Sequence, residues 1–181
     1  MPIKLTYEEI KSQRSTLEEL KDKTRFPIYV VLENIRSMYN VGAAFRTSDA
    51  ARIQELILCG YTAIPPRKEI DKTALGATET VPWRHFPKAV DAVKWLKEQR
   101  ITVAALEHCQ ESKDLMTMDC HFPIALVVGN EVDGVSEEVV AACDFACEIP
   151  MYGMKQSLNA AVAYGIAVFQ LIEKFKIRNG I

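Results

Sequence analysis

Four short stretches constrain this 181-residue chain more than any other feature: residues 28–32, 54–59, 101–106 and 124–128 are runs of aliphatic and β-branched side chains with few polar interruptions. A strand solvated on one face alternates apolar and polar residues, so runs without that alternation read as strands covered on both faces. Helical spacing lies between them, in Val41, Ala44, Phe45 and Ser48, and in Val90, Val93, Trp95 and Leu96 behind Pro87 in a first turn. Residues 81–86 and 145–149 read as two further strands, and Ser136 caps a short helix through Ala142. This alternation gives an α/β fold, a mostly parallel sheet flanked by helices, with ligands expected at the carboxyl ends of the strands. The polar segment 60–82, broken by Pro65, Pro66 and Gly76, reads as a long excursion over the sheet edge, and 111–120 as loop or a single helical turn.

Residues 149–169 pass from a turn rich in Pro, Gly and Ser into a helix apolar on every side. Such a helix must be buried by its own fold or by a partner, and the loop before it offers backbone N–H groups to a ligand. Its longest apolar run, 160–169, is too short to span a membrane. At the other end, Thr6 and Glu9 form a capping-box pattern opening a charged helix to about Lys23. We expect residues 1–25 to be a helical extension and 26–181 to be one domain. The N-terminus carries charges and capping residues rather than a signal-peptide core, so a cytoplasmic location is expected.

Five cysteines without a CxxC spacing read as reduced, buried thiols. A zinc site can be drawn from His108, Cys109, Cys120 and His121, but each pair is adjacent in sequence and diverges, so no metal is expected. Residues 1–100 carry 17 Lys and Arg against 13 Asp and Glu, while 101–181 carry 5 against 11, so an anionic partner meets the first half.

Three polar clusters follow strands, at 34–47, 129–134 and 150–159. The second, GNEVDG, is not a dinucleotide fingerprint, because Glu131 stands where close backbone approach to a pyrophosphate requires glycine. A P-loop GK[ST] is also absent, which disfavours classical NAD or ATP binding.

NVGAAFRTSDA (40–50), VVGNEVDGVS (127–136) and IPMYGMKQSLNAAVA (149–163) resemble, in order and spacing, the three motifs of the SpoU/TrmH branch of the SPOUT RNA methyltransferases. KTALGA at 72–77 is similar to a further family segment, and the resemblance extends over about 27–175. It implies a C-terminal deep trefoil knot (the SPOUT, or alpha/beta knot, fold), S-adenosyl-L-methionine as cofactor, and a homodimer through the C-terminal helix whose active site draws on both subunits. The implied reaction is methylation of a ribose 2′-hydroxyl in tRNA or rRNA. Carried over by position, Leu106, Gly129, Ile149, Met151 and Leu158 hold the cofactor. Arg46 is the motif-one arginine assigned to catalysis, with Asn40, Glu131, Ser157 and Asn159 as the polar residues around it.

A guanidinium with a pKa above about 12 is a poor base, so binding a phosphate or developing alkoxide is the easier role for Arg46. Plainer roles stay open: Arg46 pairing with Asp49, Glu131 as a loop carboxylate, Ser157 and Asn159 as helix caps, and Gly129, Gly134 and Gly153 as turn residues. The acidic net charge of −2 confines RNA contacts to a local patch, for which Arg36, Arg46, Arg67, Lys68, Lys72 and Arg84 are the choices. Two competing readings are a knotted RNA-binding protein without turnover and an unrelated small-molecule α/β enzyme, for which the sequence offers no nucleophile–base pair.

Overall fold

The computed structural model describes residues 1–13, 15–21 and 23–181. Among them, seven parallel strands form one sheet: β1 (Phe26–Glu33), β2 (Ile53–Cys59), β3 (Trp83–Phe86), β4 (Thr102–Leu106), β5 (Lys113–Asp114), β6 (Ile124–Val128) and β7 (Phe145–Glu148). Their order across the sheet is β3-β2-β1-β6-β4-β7-β5. The helices are α1 (Tyr7–Ser12), α2 (Leu17–Lys21), α3 (Met38–Ala51), α4 (Lys68–Ala74), α5 (Ala89–Glu98), α6 (Glu137–Ala142) and α7 (Ala160–Asn179).

The period-two geometry of a strand divides each apolar run between two cores. Ile28, Val30 and Leu32 of β1 join Ile124, Leu126 and Val128 of β6 beneath α3, α4 and α7. Val31, Ala125 and Val127 face the other way, toward α5 and α6. Both faces are therefore covered, and the buried residues of the central strands are apolar on each apart from the carboxylates Glu33 of β1 and Glu55 of β2. On the first face α3 and α4 approach closely at Gly42, where a Cβ would lie 2.1 Å from Thr73 Oγ1 and 2.3 Å from the Ile70 carbonyl oxygen.

The chain leaves β7 near one sheet edge, and α7 then packs on α3 and β1. Tyr164, Ala167, Val168, Leu171 and Ile172 make its buried face, and the Tyr164 hydroxyl meets Ser48 Oγ, which itself donates to the Ala44 carbonyl at 2.7 Å. Residues 149–159 thus cross the carboxyl ends of β4 and β6, which positions the site.

Several local expectations change. Segment 60–82 is not a bare excursion: it holds α4 and a single 3-10 turn, Ala77–Glu79, with Ile70, Ala74, Ala77 and Val81 buried. Segment 111–120 contains β5, which extends the sheet beside β7, and Lys174 Nζ ties the following turn down through the carbonyls of Met116 (3.0 Å) and Met118 (2.7 Å). Among the described residues the expected N-terminal helix is two short ones, α1 and α2. The capping box of α1 is present, with Thr6 N–H donating to Glu9 Oε2 at 2.6 Å and Glu9 N–H to Thr6 Oγ1 at 3.3 Å. Ser136 precedes α6 as expected, but its side chain does not cap that helix. Its hydroxyl and N–H instead donate to the buried Glu33 carboxylate, at 2.6 and 3.0 Å, which places the negative charge at the helix N-terminus.

Candidate active site

Three loops converge at the carboxyl ends of β6, β4 and β7 around a cleft of about 260 Å³. The first is the turn after β6. Asn130 and Gly134 exchange backbone hydrogen bonds at 3.0 Å, and Asn130 Oδ1 accepts the N–H groups of Val132 (2.7 Å) and Asp133 (3.0 Å). The turn folds so tightly against its own base that a Cβ on Gly129 would lie 2.1 Å from the Gly134 carbonyl carbon and 2.2 Å from Val135 N. No other residue fits there.

The second loop follows β4. Glu107 accepts the N–H of Val135 at 2.8 Å and of His108 at 2.9 Å, joining it to the first. The third is 149–159. His108 binds it to the body: Nδ1 lies 3.1 Å from Glu148 Oε2 and Nε2 2.8 Å from the Gln156 carbonyl oxygen. The Glu148 bond, then the Gln156 carbonyl, push the His108 pKa above its ordinary value against the opposing effect of burial. Bonds from Ser112 and His108 hold Glu148 below the usual carboxylate range.

All five residues expected at the cofactor, Leu106, Gly129, Ile149, Met151 and Leu158, line this cleft, and Glu131 and Ser157 line it too. Glu131 also joins the cleft to α3. Its carboxylate accepts the N–H groups of Arg36 (2.9 Å) and Ser37 (3.1 Å) and Asn40 Nδ2 (2.8 Å). Partial burial pushes its pKa up, but the bonds from Arg36, Asn40, its own backbone and Ser37 outweigh this and hold it low. Asn159 Nδ2 donates to Asn40 Oδ1 at 3.3 Å, while its Oδ1 caps α7 by accepting from Ala161 (2.9 Å) and Val162 (3.3 Å). Asn40, Glu131 and Asn159, distant in sequence, form one network.

Arg46 stands apart. It is exposed on α3, six residues and about 9 Å along the helix from Asn40. It makes no ion pair among the described residues, and Asp49, the neighbour it could have taken, accepts the Thr80 hydroxyl at 2.5 Å. Arg36, Arg67, Lys68 and Lys72 are likewise exposed, the last three at or on α4, which packs on α3. Arg84 departs from this patch: its Nε meets Glu55 at 2.6 Å and its guanidinium lies 4.1 Å over the Trp95 ring, on the α5 side of the sheet. Among the described residues no group of three or more His, Cys, Asp or Glu is placed to hold a metal ion.

The SpoU rRNA Methylase family matches residues 27–169. The chain belongs to the SpoU methylase family. A relative within it, the tRNA (guanosine(18)-2′-O)-methyltransferase of Thermus thermophilus, is 34% identical over 163 residues, covering 90% of this chain and 83% of its own. Among solved structures, the A. aeolicus TrmH/SpoU tRNA modifying enzyme superposes with a TM-score of 0.80 at 29% identity, over 91% of this chain and 82% of that one. The AdoMet-bound rRNA methyltransferase of Sinorhizobium meliloti gives 0.74 at 31% identity, over 85% of this chain and 59% of the other. The SpoU methylase fold is therefore the one seen here, a parallel α/β sheet flanked by helices.

Nothing in the sequence singles out Glu107, Glu148 or Asn130 for the site, and His108 stands out there only as a metal ligand. Position after a buried strand was the available signal for Glu107, His108 and Asn130. The bonds that define their roles join residues far apart in the chain.

Proposed function

We propose that this SpoU methylase transfers the methyl group of S-adenosyl-L-methionine to a ribose 2′-hydroxyl of tRNA or rRNA, working as a cytoplasmic homodimer. The observation that carries this reading is the cleft between the 129–134, 106–108 and 149–158 loops, with the Asn40–Glu131–Asn159 network at its rim.

The residues present suit the cofactor. Leu106, Ile149, Met151 and Leu158 offer apolar surface to an adenine, and the missing Cβ at Gly129 leaves backbone within reach. Glu107, Asp133 and Glu148 make the cleft acidic, which matches a ligand bearing a sulfonium and an ammonium. Bound there, the cofactor supplies a methyl group already activated on sulfur.

What remains for the protein is positioning, exclusion of water and handling one proton. Ser157 and Glu131 line the cleft, whereas Asn40 and Asn159 stand behind Glu131, the Asn40 amide bonded to it and the Asn159 amide to Asn40. Glu131 is a poor base, since three donors already occupy its carboxylate and its pKa is low. Its role is to hold Asn40 against the cleft. Arg46 does not line the cleft of its own chain, which supports a site completed by Arg46 of the partner subunit, where it binds a phosphate or the developing alkoxide.

The exposed stripe of Val162, Ile166 and Phe169 on α7 supplies the dimer surface. Residues 1–25 form a helical extension on the domain 26–181, tied through Arg52 to the carbonyls of Leu20 (3.1 Å) and Lys23. The crossing of 149–159 over the strand ends agrees with the family's knotted path. The runner-up, a knotted RNA-binding protein without turnover, is disfavoured by the intact polar network at the cleft.

Titration calorimetry is the first test: S-adenosylmethionine binds in the micromolar range, and no heat up to millimolar cofactor ends this reading. Arg46→Ala is expected to keep that affinity and to lower methyl transfer at least about 100-fold. Unchanged transfer refutes the role given to Arg46.

A further inference from the structure

One aromatic side chain at the rim of the site is fixed by the fold and left bare. Tyr61 follows β2 and is 61% exposed. Its N–H donates to Asn34 Oδ1 at 3.2 Å, and its hydroxyl accepts Asn130 Nδ2 at 2.6 Å. The residues around it are equally constrained. Asn34 has φ 54° and accepts the same Asn130 amide on its carbonyl at 2.9 Å. Gly60 runs so close to Asn34 that a Cβ would lie 2.0 Å from its Oδ1. Thr62 is buried, donating its hydroxyl to the Leu32 carbonyl at 3.0 Å and accepting the Ile35 N–H at 2.9 Å. Asn130, which orients the ring, directly precedes Glu131.

A tyrosine kept for packing buries its ring, and this one does not. Held at its backbone and its hydroxyl, the ring loses little freedom when a planar group stacks on it. Exposed charge on the same stretches of chain selects that group. Arg36, two residues past Asn34, and Arg67 and Lys68, on the segment that Tyr61 opens, are exposed, and among the described residues none forms an ion pair. Unpaired cations beside an exposed ring bind single-stranded nucleic acid, the cations following phosphates while the ring takes a base. A ribose entering the cleft must arrive with its base out of any stack, which leaves that base or its neighbour in need of a new surface.

We propose that Tyr61 is the platform on which a nucleobase flanking the methylated ribose stacks. The inference rests on the RNA-methylation reading above, and its test separates the two.

Tyr61→Ala, Tyr61→Leu and Tyr61→Phe are compared with the wild type for S-adenosylmethionine affinity by calorimetry. Their KM and kcat are measured with bulk RNA from cells lacking this gene. Stacking predicts that Ala and Leu raise the KM for RNA between about fivefold and a hundredfold. Phe stays within about twofold of wild type, and cofactor affinity is unchanged in all three. Phe failing as badly as Ala overturns the proposal, because the hydroxyl bond to Asn130 would then be what counts. Loss of cofactor affinity in Ala, or no change of KM in Ala, overturns it as well. A wild type that methylates no RNA refutes the functional reading itself, and the platform with it.

Discussion

Glu131 shows how one side chain orders a site without performing its chemistry. Three donors converge on its carboxylate, two from the backbone before α3 and one from Asn40. Glu131→Ala frees those donors at an exposed position where water replaces the carboxylate, so the stability cost is below about 1 kcal/mol. Methyl transfer should fall at least about tenfold, because Asn40 loses its anchor, with the melting temperature nearly unchanged. Thermal melts and initial rates check this together. His108 gives a pH dependence. Acceptors face both ring nitrogens, so only the imidazolium satisfies both. Its pKa in the fold is raised, chiefly by Glu148, and Glu148 is itself held low and stays ionised. Both bonds of the tie to the 149–159 loop are present below the ordinary histidine value of 6.5, and one of the two is lost as the pH rises through the higher value in the fold. Cofactor affinity is expected to decline over that range, and His108→Gln to flatten the profile, as calorimetry at successive pH values reports. Little of this was legible in the sequence. Gly129 and Glu131 could be placed because they follow a buried strand within a motif, whereas the role of His108 depends on a carbonyl 48 positions away and that of Asn130 on a hydroxyl 69 away.

At the scale of elements, α7 was readable because its composition allowed few fates. Tyr164 and Leu171 turn toward α3 and β1, while Val162, Ile166 and Phe169, spaced as i, i+4 and i+7, stay 50%, 37% and 47% exposed. Since Val162 is half exposed, Val162→Asp leaves the chain's own core intact and sets a charge in the proposed dimer face. Sedimentation is expected to show the wild type as a dimer at micromolar concentration and the variant as a monomer whose methylation falls at least about tenfold. A dimeric variant, or a monomeric wild type, counts against that surface. Other elements were hidden for local reasons. The apolar residues of α4 are only Ile70 and Ala74 among charges, too few to reveal a seven-residue helix whose place is set by the close approach at Gly42. β5, two residues long, exists only because β7 runs beside it. The capping pattern of Ser136 was legible, but its diversion to Glu33, 103 positions earlier, was not.

For the whole molecule, the four central runs sufficed to indicate a parallel sheet covered on both faces, while the crossing of 149–159 over the strand ends followed from family resemblance alone. The charge distribution was only partly informative. Arg36, Arg46, Arg67, Lys68 and Lys72 are exposed and unpaired among the described residues, whereas Arg84 is taken by Glu55 and Trp95 on the α5 side. With five such cations, the logarithm of RNA affinity should fall against that of salt with a slope no steeper than about −4 to −5 per subunit. Lys72→Ala lowers this slope by about one, and Arg84→Ala leaves it unchanged; filter binding at several salt concentrations distinguishes the two. The position of the transferred methyl group is the decisive measurement. The protein is incubated with methyl-labelled S-adenosylmethionine and RNA from cells lacking this gene, and the RNA is digested to nucleosides and resolved by mass spectrometry. The expected result is label in a 2′-O-methylated nucleoside, lost with Arg46→Ala; label on a base, or none on RNA, contradicts it.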